Sequence, residues 1–297
     1  MKKGIKKVCV CLLAAFLAIS SGAVTDTKAA SYEWNGSGYW SYYDTPDEAR
    51  NYTIGYDDEY QAAVAVNGYI NLEYEDTYYD DDYDEVDYQW EASNQNINME
   101  VSGDKKSAKI TGKTKGTTNI TITKTYKDEY DEEPETETKT VKVQISQPKL
   151  KSTKIGMAFG TQAKVQITGN SSYGKDRILY ATDNTSNFWI YDGSMYGYKK
   201  QTRKVYVYVD GVILTATVKC TDPKLSRTVE IIQKGQTASY ALKGTSGYTP
   251  VTYATGNKKY ATVSKAGKVK GIKYGKTTFT AKADNQTWKF DLYILKS

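Results

Sequence analysis

The chain has 297 residues, with 40 Lys and Arg against 35 Asp and Glu, 3 Cys and no His. The absence of histidine removes the usual general base of nucleophilic triads and the commonest metal ligand, which leaves carboxylates, tyrosines and lysines for any chemistry. The 28 Tyr and 5 Pro, with long runs of Thr, Val and Ile, favour strands over helices.

Residues 1–29 read as a secretory signal peptide: MKKGIKK, then the apolar run VCVCLLAAFLAI, then small residues. That run is shorter than the roughly 20 residues a membrane span needs, so no membrane insertion is expected. Cleavage fits after Ala23 or after Ala29. Cys9 and Cys11 lie inside the apolar run and leave with it. Cys220 then has no intramolecular partner, and stability must come from packing.

The segment that follows, SYEWNGSGYWSYYDTPDEAR, is a polar, aromatic leader without clear periodicity, and a strand is expected near 52–54. The acidic run EYEDTYYDDDYDEVD at 73–87 precedes a strand carrying Trp90. Within it Asp80, Asp82 and Asp84 are candidate ligands for calcium, a hard cation that takes six to eight oxygens. The EF-hand pattern with its central glycine is absent, and charge runs are commonly solvated loops. No other cofactor is expected.

Internal repeats dominate the rest of the chain. Pro-Lys-Leu at 148–150 recurs 75 residues later at 223–225. GKTKGTTNITIT begins at Gly112, GYKKQTRKVYVY at Gly197 and GIKYGKTTFTAK at Gly271. Four residues after each glycine stands Gly116, Gln201 or Gly275, and beyond it come the alternating apolar pairs Ile120 and Ile122, Val205 and Val207, Phe279 and Ala281. Period two means strand.

GIKYGKTT also falls one residue short of the phosphate-cradling G-x-x-x-x-G-K-[ST], but that loop must lead into a helix. Thr117 and Thr202 replace its lysine, Lys276, in the sister repeats, so the glycines are read as a turn before a strand.

Counting from these glycines places other residues. Cys220 stands where Ile294 and Ile145 stand in the neighbouring repeats, which predicts a buried structural thiol. DEYDEEPETE at 128–137 matches a ten-residue surplus of the first repeat and reads as an extended hairpin tip. In VYVYV, alternation turns Val205, Val207 and Val209 inward and Tyr206 and Tyr208 outward, with Tyr198 nearby. These three tyrosines are candidate ligand-binding residues, since aromatic bodies with polar tips suit wet interfaces. The faces of NFWIY stay unassigned. Tyr180 to Met195 spans 15 residues where Tyr253 to Val269 spans 16, and a one-residue shift reverses every face.

The third repeat, VTYATGNKKYATVSKAGKVKGIKYGKTTFTAKADNQTWKFDLYI, resembles the bacterial immunoglobulin-like domain of group 2 (BIG2) through its A-T-V-S, G-x-V-x-G and glycine-before-T-x-x-x-T-A elements. The first repeat resembles it through YQWEASN and AKITGKTKGTTNITI, and the second is degenerate. The resemblance implies an all-β fold of three tandem immunoglobulin-like β-sandwiches in a secreted or surface protein, and it supplies no catalytic residues. The expected units are the signal peptide 1–29, leader plus first domain 30–147, second domain 148–222 and third domain 223–297.

Residues 30–147 hold 26 acidic and 10 basic side chains, whereas 148–297 hold 8 acidic and 25 basic, a change from −16 to +17. Such segregation steers the two halves to different partners, or to each other head to tail. The function expected is a non-catalytic, extracellular or cell-wall-associated binding or adhesion protein whose basic half docks on an anionic wall polymer. Its partners would be an envelope polymer, a glycan or a surface protein, and not nucleic acid. The alternatives are a carbohydrate-binding module using exposed tyrosine faces and, less favoured, a glycan hydrolase needing paired carboxylates. No sortase-type motif or hydrophobic tail follows the last strand, so covalent attachment there is not expected.

Overall fold

In the computed structural model, residues 34–36, 43–75, 85–127 and 133–296 are described. Three β-sandwiches follow one another along them, each built round a hairpin of long strands. Gly116–Lys127 pairs with Glu135–Ser146, Gln201–Val209 with Val212–Thr221, and Gly275–Ala283 with Gln286–Leu295. The second strand of each hairpin also takes a parallel neighbour, Glu59–Ala65, Lys154–Ala158 or Ile231–Gln233.

A second sheet closes each sandwich. It is Asn51–Ile54, Tyr69–Tyr74, Ser107–Gly112 and Ile97–Val101 in the first unit. In the second it is Gln162–Lys164, Ser194–Gly197 and Phe188–Tyr191, and in the third Thr237–Ser239, Lys268–Gly271 and Ala261–Val263.

The cores follow from alternation. Ile120 and Ile122, Val205 and Val207, and Phe279 and Ala281 are fully buried, each set facing the opposite sheet of its own unit. Burial of one such aliphatic or aromatic side chain stabilises by about 1.5–3 kcal/mol. The repeat register holds throughout, since Gly116 pairs with Ile145, Gln201 with Cys220 and Gly275 with Ile294.

The stretch GIKYGKTT is a strand-to-strand turn. Gly271 ends Lys268–Gly271, where a Cβ would lie 2.7 Å from the Gln233 carbonyl oxygen, and Gly275 opens the next strand with φ 139°. Lys276 points outward and pairs with Asp291 at 2.7 Å. A strand, not a helix, follows the turn, so the geometry that binds phosphate at a helix N-terminus is not built here.

The described residues of the leader, 34–36 and 43–50, lie against the second unit. Thr45 caps the short helix Pro46–Arg50, its hydroxyl accepting from the Glu48 N–H at 3.2 Å, with proline at the first helical position. Asn35–Gly36 adds an antiparallel edge strand to Leu179–Thr182. Trp34 and Ala49 are buried, together with Tyr206, Tyr208 and Ile213, on the outer face of the second unit's main sheet.

Candidate functional site

Of the three tyrosines expected to form an exposed face, only Tyr198 is exposed, at 62%. Tyr206 and Tyr208 do point away from the valine core, but each is only 1% exposed, because the leader lies over them. The Arg50 guanidinium, on the leader's helix, sits 5.6 Å from the Tyr208 ring and 4.5 Å from that of Tyr69. Arg177 holds the leader from the other side, 3.7 Å from the Tyr52 ring and donating to the carbonyls of Ala49 and Asn51. Burial pushes the Tyr52 hydroxyl up to about 12 and raises Tyr208 as well. These rings are packing elements and cannot meet a ligand from solvent.

The exposed aromatic face lies on the other sheet. Asp192 and Gly193, both at positive φ, form a two-residue turn that joins Phe188–Tyr191 to Ser194–Gly197. Phe188, Ile190 and Met195 enter the core, which settles the register the sequence left open. Trp189, Tyr191 and Tyr196 therefore share the outer face. Trp189, 49% exposed, stands directly across from Tyr196 with ring centroids 5.3 Å apart, and stacks on Tyr191 at 5.7 Å with the planes 12° apart. Gln162 and Lys164 of the next strand flank them, Lys164 lying 3.8 Å from Asp192. No sequence signal marked Trp189 and Tyr196 as a pair until the one-residue spacing difference was resolved.

The junctions between units repeat one device. At the second, the Asp284 side chain, on the tip between Gly275–Ala283 and Gln286–Leu295, accepts from Thr221 Oγ1 at 2.7 Å, from the Ser246 N–H at 2.6 Å and hydroxyl at 2.5 Å, and from Thr249 Oγ1 at 2.6 Å. Its carbonyl accepts from the Ala158 N–H. At the first junction Asp210 takes the same place, accepting from Ser146 Oγ and the Ser171 N–H at 2.6 and 2.7 Å, with its carbonyl bound to the Ala65 N–H. A cleft of about 330 Å³, lined by Val66, Pro148, Leu150, Val212 and Leu214 among others, runs beside this junction.

Asp80, Asp82 and Asp84 lie outside the described residues, and so does 128–132 of the acidic hairpin tip. Among the described residues no group of three or more His, Cys, Asp or Glu is placed to hold a metal ion. Cys220 is 2% exposed in the second core, and burial raises its thiol to about 11. No helix among the described residues is long and apolar enough to cross a membrane.

The family model of the bacterial Ig-like domain (group 2) matches residues 215–290. No curated protein matches the chain. Solved structures similar to it include the I-band fragment from titin, at 12% identity over 81% of this chain and 97% of that one with a TM-score of 0.25. Invasin, a bacterial integrin-binding protein, is similar at 14% identity over 78% and 57%, with a TM-score of 0.30. Domains 4 and 5 of the S-layer protein SbsC are similar at 17% over 45% and 86%, with a TM-score of 0.23. The chain is a tandem of three immunoglobulin-like β-sandwiches, and within it residues 215–290 match the family model of the group 2 bacterial Ig-like domains.

Proposed function

We propose that the protein is an extracellular, envelope-associated binding or adhesion stalk without catalytic activity, whose units are 30–147, 148–222 and 223–297. The observation that carries this reading is the repeated carboxylate junction at Asp210 and Asp284, which sets the units in a fixed series. A series of this kind presents faces and spans distance; its two junction carboxylates are buried by the joint itself instead of lining a cleft.

Charge gives the series a direction. The third unit exposes Lys268 and Lys270 on one sheet and Lys282 and Lys289 on the other, while the first exposes Asp57, Asp58 and Glu59. The basic end docks on an anionic wall polymer and the acidic end projects outward, because single-sign fields attract polyanions and repel their like.

The test uses the whole mature chain, since the leader covers Tyr206 and Tyr208 and a cut at Pro148 would expose them. Purified Gram-positive-type walls should retain the chain at low salt and release it at about 0.5 M, where screening acts over a few ångströms. The quadruple change K268E/K270E/K282E/K289E should weaken retention and lower the salt needed for release, and D57K/D58K should do neither. Retention indifferent to salt and to the lysine changes would refute wall docking.

A further inference from the structure

The three units offer an internal control for the aromatic face. Strand pairing places Asn98 and Thr262 where the second unit has Trp189, and Thr111 and Lys270 where it has Tyr196. Glu100 stands in the place of Tyr191. The same face of the same sheet is thus polar in both sister units, so the sandwich itself does not require rings here. Trp189 is also half exposed on that outer face, opposite the core its strand neighbours Phe188 and Ile190 fill.

We infer that Trp189, Tyr191 and Tyr196, flanked by Gln162 and Lys164, form a binding face for an anionic polysaccharide. The rings supply apolar faces for the C–H surfaces of hexose rings. Gln162 offers an amide donor and acceptor at the edge of the row, and beside it stands Lys164, an exposed cation 3.8 Å from Asp192. The charge of this unit agrees: residues 148–222 carry 11 basic and 5 acidic side chains. Lys199 and Lys200 are exposed just beyond Tyr198. This inference rests on the envelope-polymer reading and gives that polymer a second contact, built from rings, apart from the lysines of the third unit.

The experiment is affinity electrophoresis of the whole mature chain through gels holding carboxymethylcellulose or polygalacturonate, both anionic sugar chains, or polyphosphate, an anion without rings. Wild type should be retarded by at least one of the sugar polymers. W189A/Y196A should raise the apparent Kd for it at least tenfold and leave both the melting temperature and any polyphosphate retardation unchanged, and W189F should retain part of the binding. Equal retardation of wild type and W189A/Y196A by the sugar polymers would overturn the aromatic site and leave the lysine docking reading standing. Retardation by polyphosphate alone would do the same. No retardation by any polymer would remove both, and capture of a protein in place of sugar would refute the ligand class.

Discussion

Asp210 and Asp284 occupy equivalent places in successive junctions, yet only Asp284 has both carboxylate oxygens hydrogen-bonded. The difference lies at one position. Thr249 donates to Asp284 Oδ1, whereas the residue 75 earlier is Gly174, where a Cβ would sit 2.7 Å from Asp210 Oδ1. Ser171, the counterpart of Ser246, turns its hydroxyl to Gln144 instead, and Asp210 Oδ1 is buried without a partner.

Acid should therefore act oppositely on the two joints. Burial raises the pKa of Asp210 more than its hydrogen bonds from Ser146 and Ser171 lower it. For Asp284 burial also raises it, but the hydrogen bonds from Ser246, Thr221 and Thr249 outweigh that and hold it low. An acid with a raised folded pKa binds its proton more tightly when folded, so the Asp210 joint gains stability as pH falls from above that pKa towards the unfolded value of about 3.9. The Asp284 joint is most stable above that value and loses stability as pH falls through its lowered pKa. Calorimetry across this range should show D210N abolishing the acid-side gain and D284N abolishing the loss at lower pH.

Removing the filled carboxylate should be costly at any pH near neutrality. D284A leaves the buried Ser246 N–H and hydroxyl and the Thr249 hydroxyl without an acceptor, while the Thr221 hydroxyl keeps the Met157 carbonyl, and loss of a buried partner typically costs 1–3 kcal/mol per group left unpaired. The melting transition of the third unit should separate from that of the second in D284A and coincide with it in wild type. A D284A profile matching wild type would show that the joint carries little coupling.

Much of this was legible in the sequence, and the reason is local. Glycine spacing and period-two alternation are short-range signals, so the hairpins, the inward valines and the burial of Cys220 in the place of Ile145 and Ile294 could be read directly. Strand alternation puts Tyr206 and Tyr208 on the correct side of the strand but predicts them exposed, because their cover is Trp34 and Ala49, more than 150 residues away and in a stretch with no periodicity. Asp-Gly at 210–211 and Asp-Asn at 284–285 are recognisable turn pairs. That their side chains reach into the preceding unit depends on how two sandwiches meet, which no single repeat encodes.

The leader yields a prediction of its own. W34A should destabilise by about 3 kcal/mol, as large-to-small changes at buried aromatic sites do. Chains lacking 30–50 should bind a hydrophobic dye through the uncovered Tyr206 and Tyr208 face. Unchanged melting of W34A would contradict the packing described.

Cys220 should resist a thiol reagent in the native protein, its thiolate being disfavoured by burial and by nearby Asp284. Labelling should proceed at the unfolding rate, independent of reagent concentration. Rapid second-order labelling would place the sulfur at the surface.

The claim on which the others depend is that the carboxylate joints hold the three units in one fixed series. Residual dipolar couplings from backbone amides of the mature chain, weakly aligned near pH 7, measure this directly. A single alignment tensor should fit the described residues of all three units, and D284A should require a separate tensor for the third unit alone. Three unrelated tensors in the wild-type protein would contradict the account.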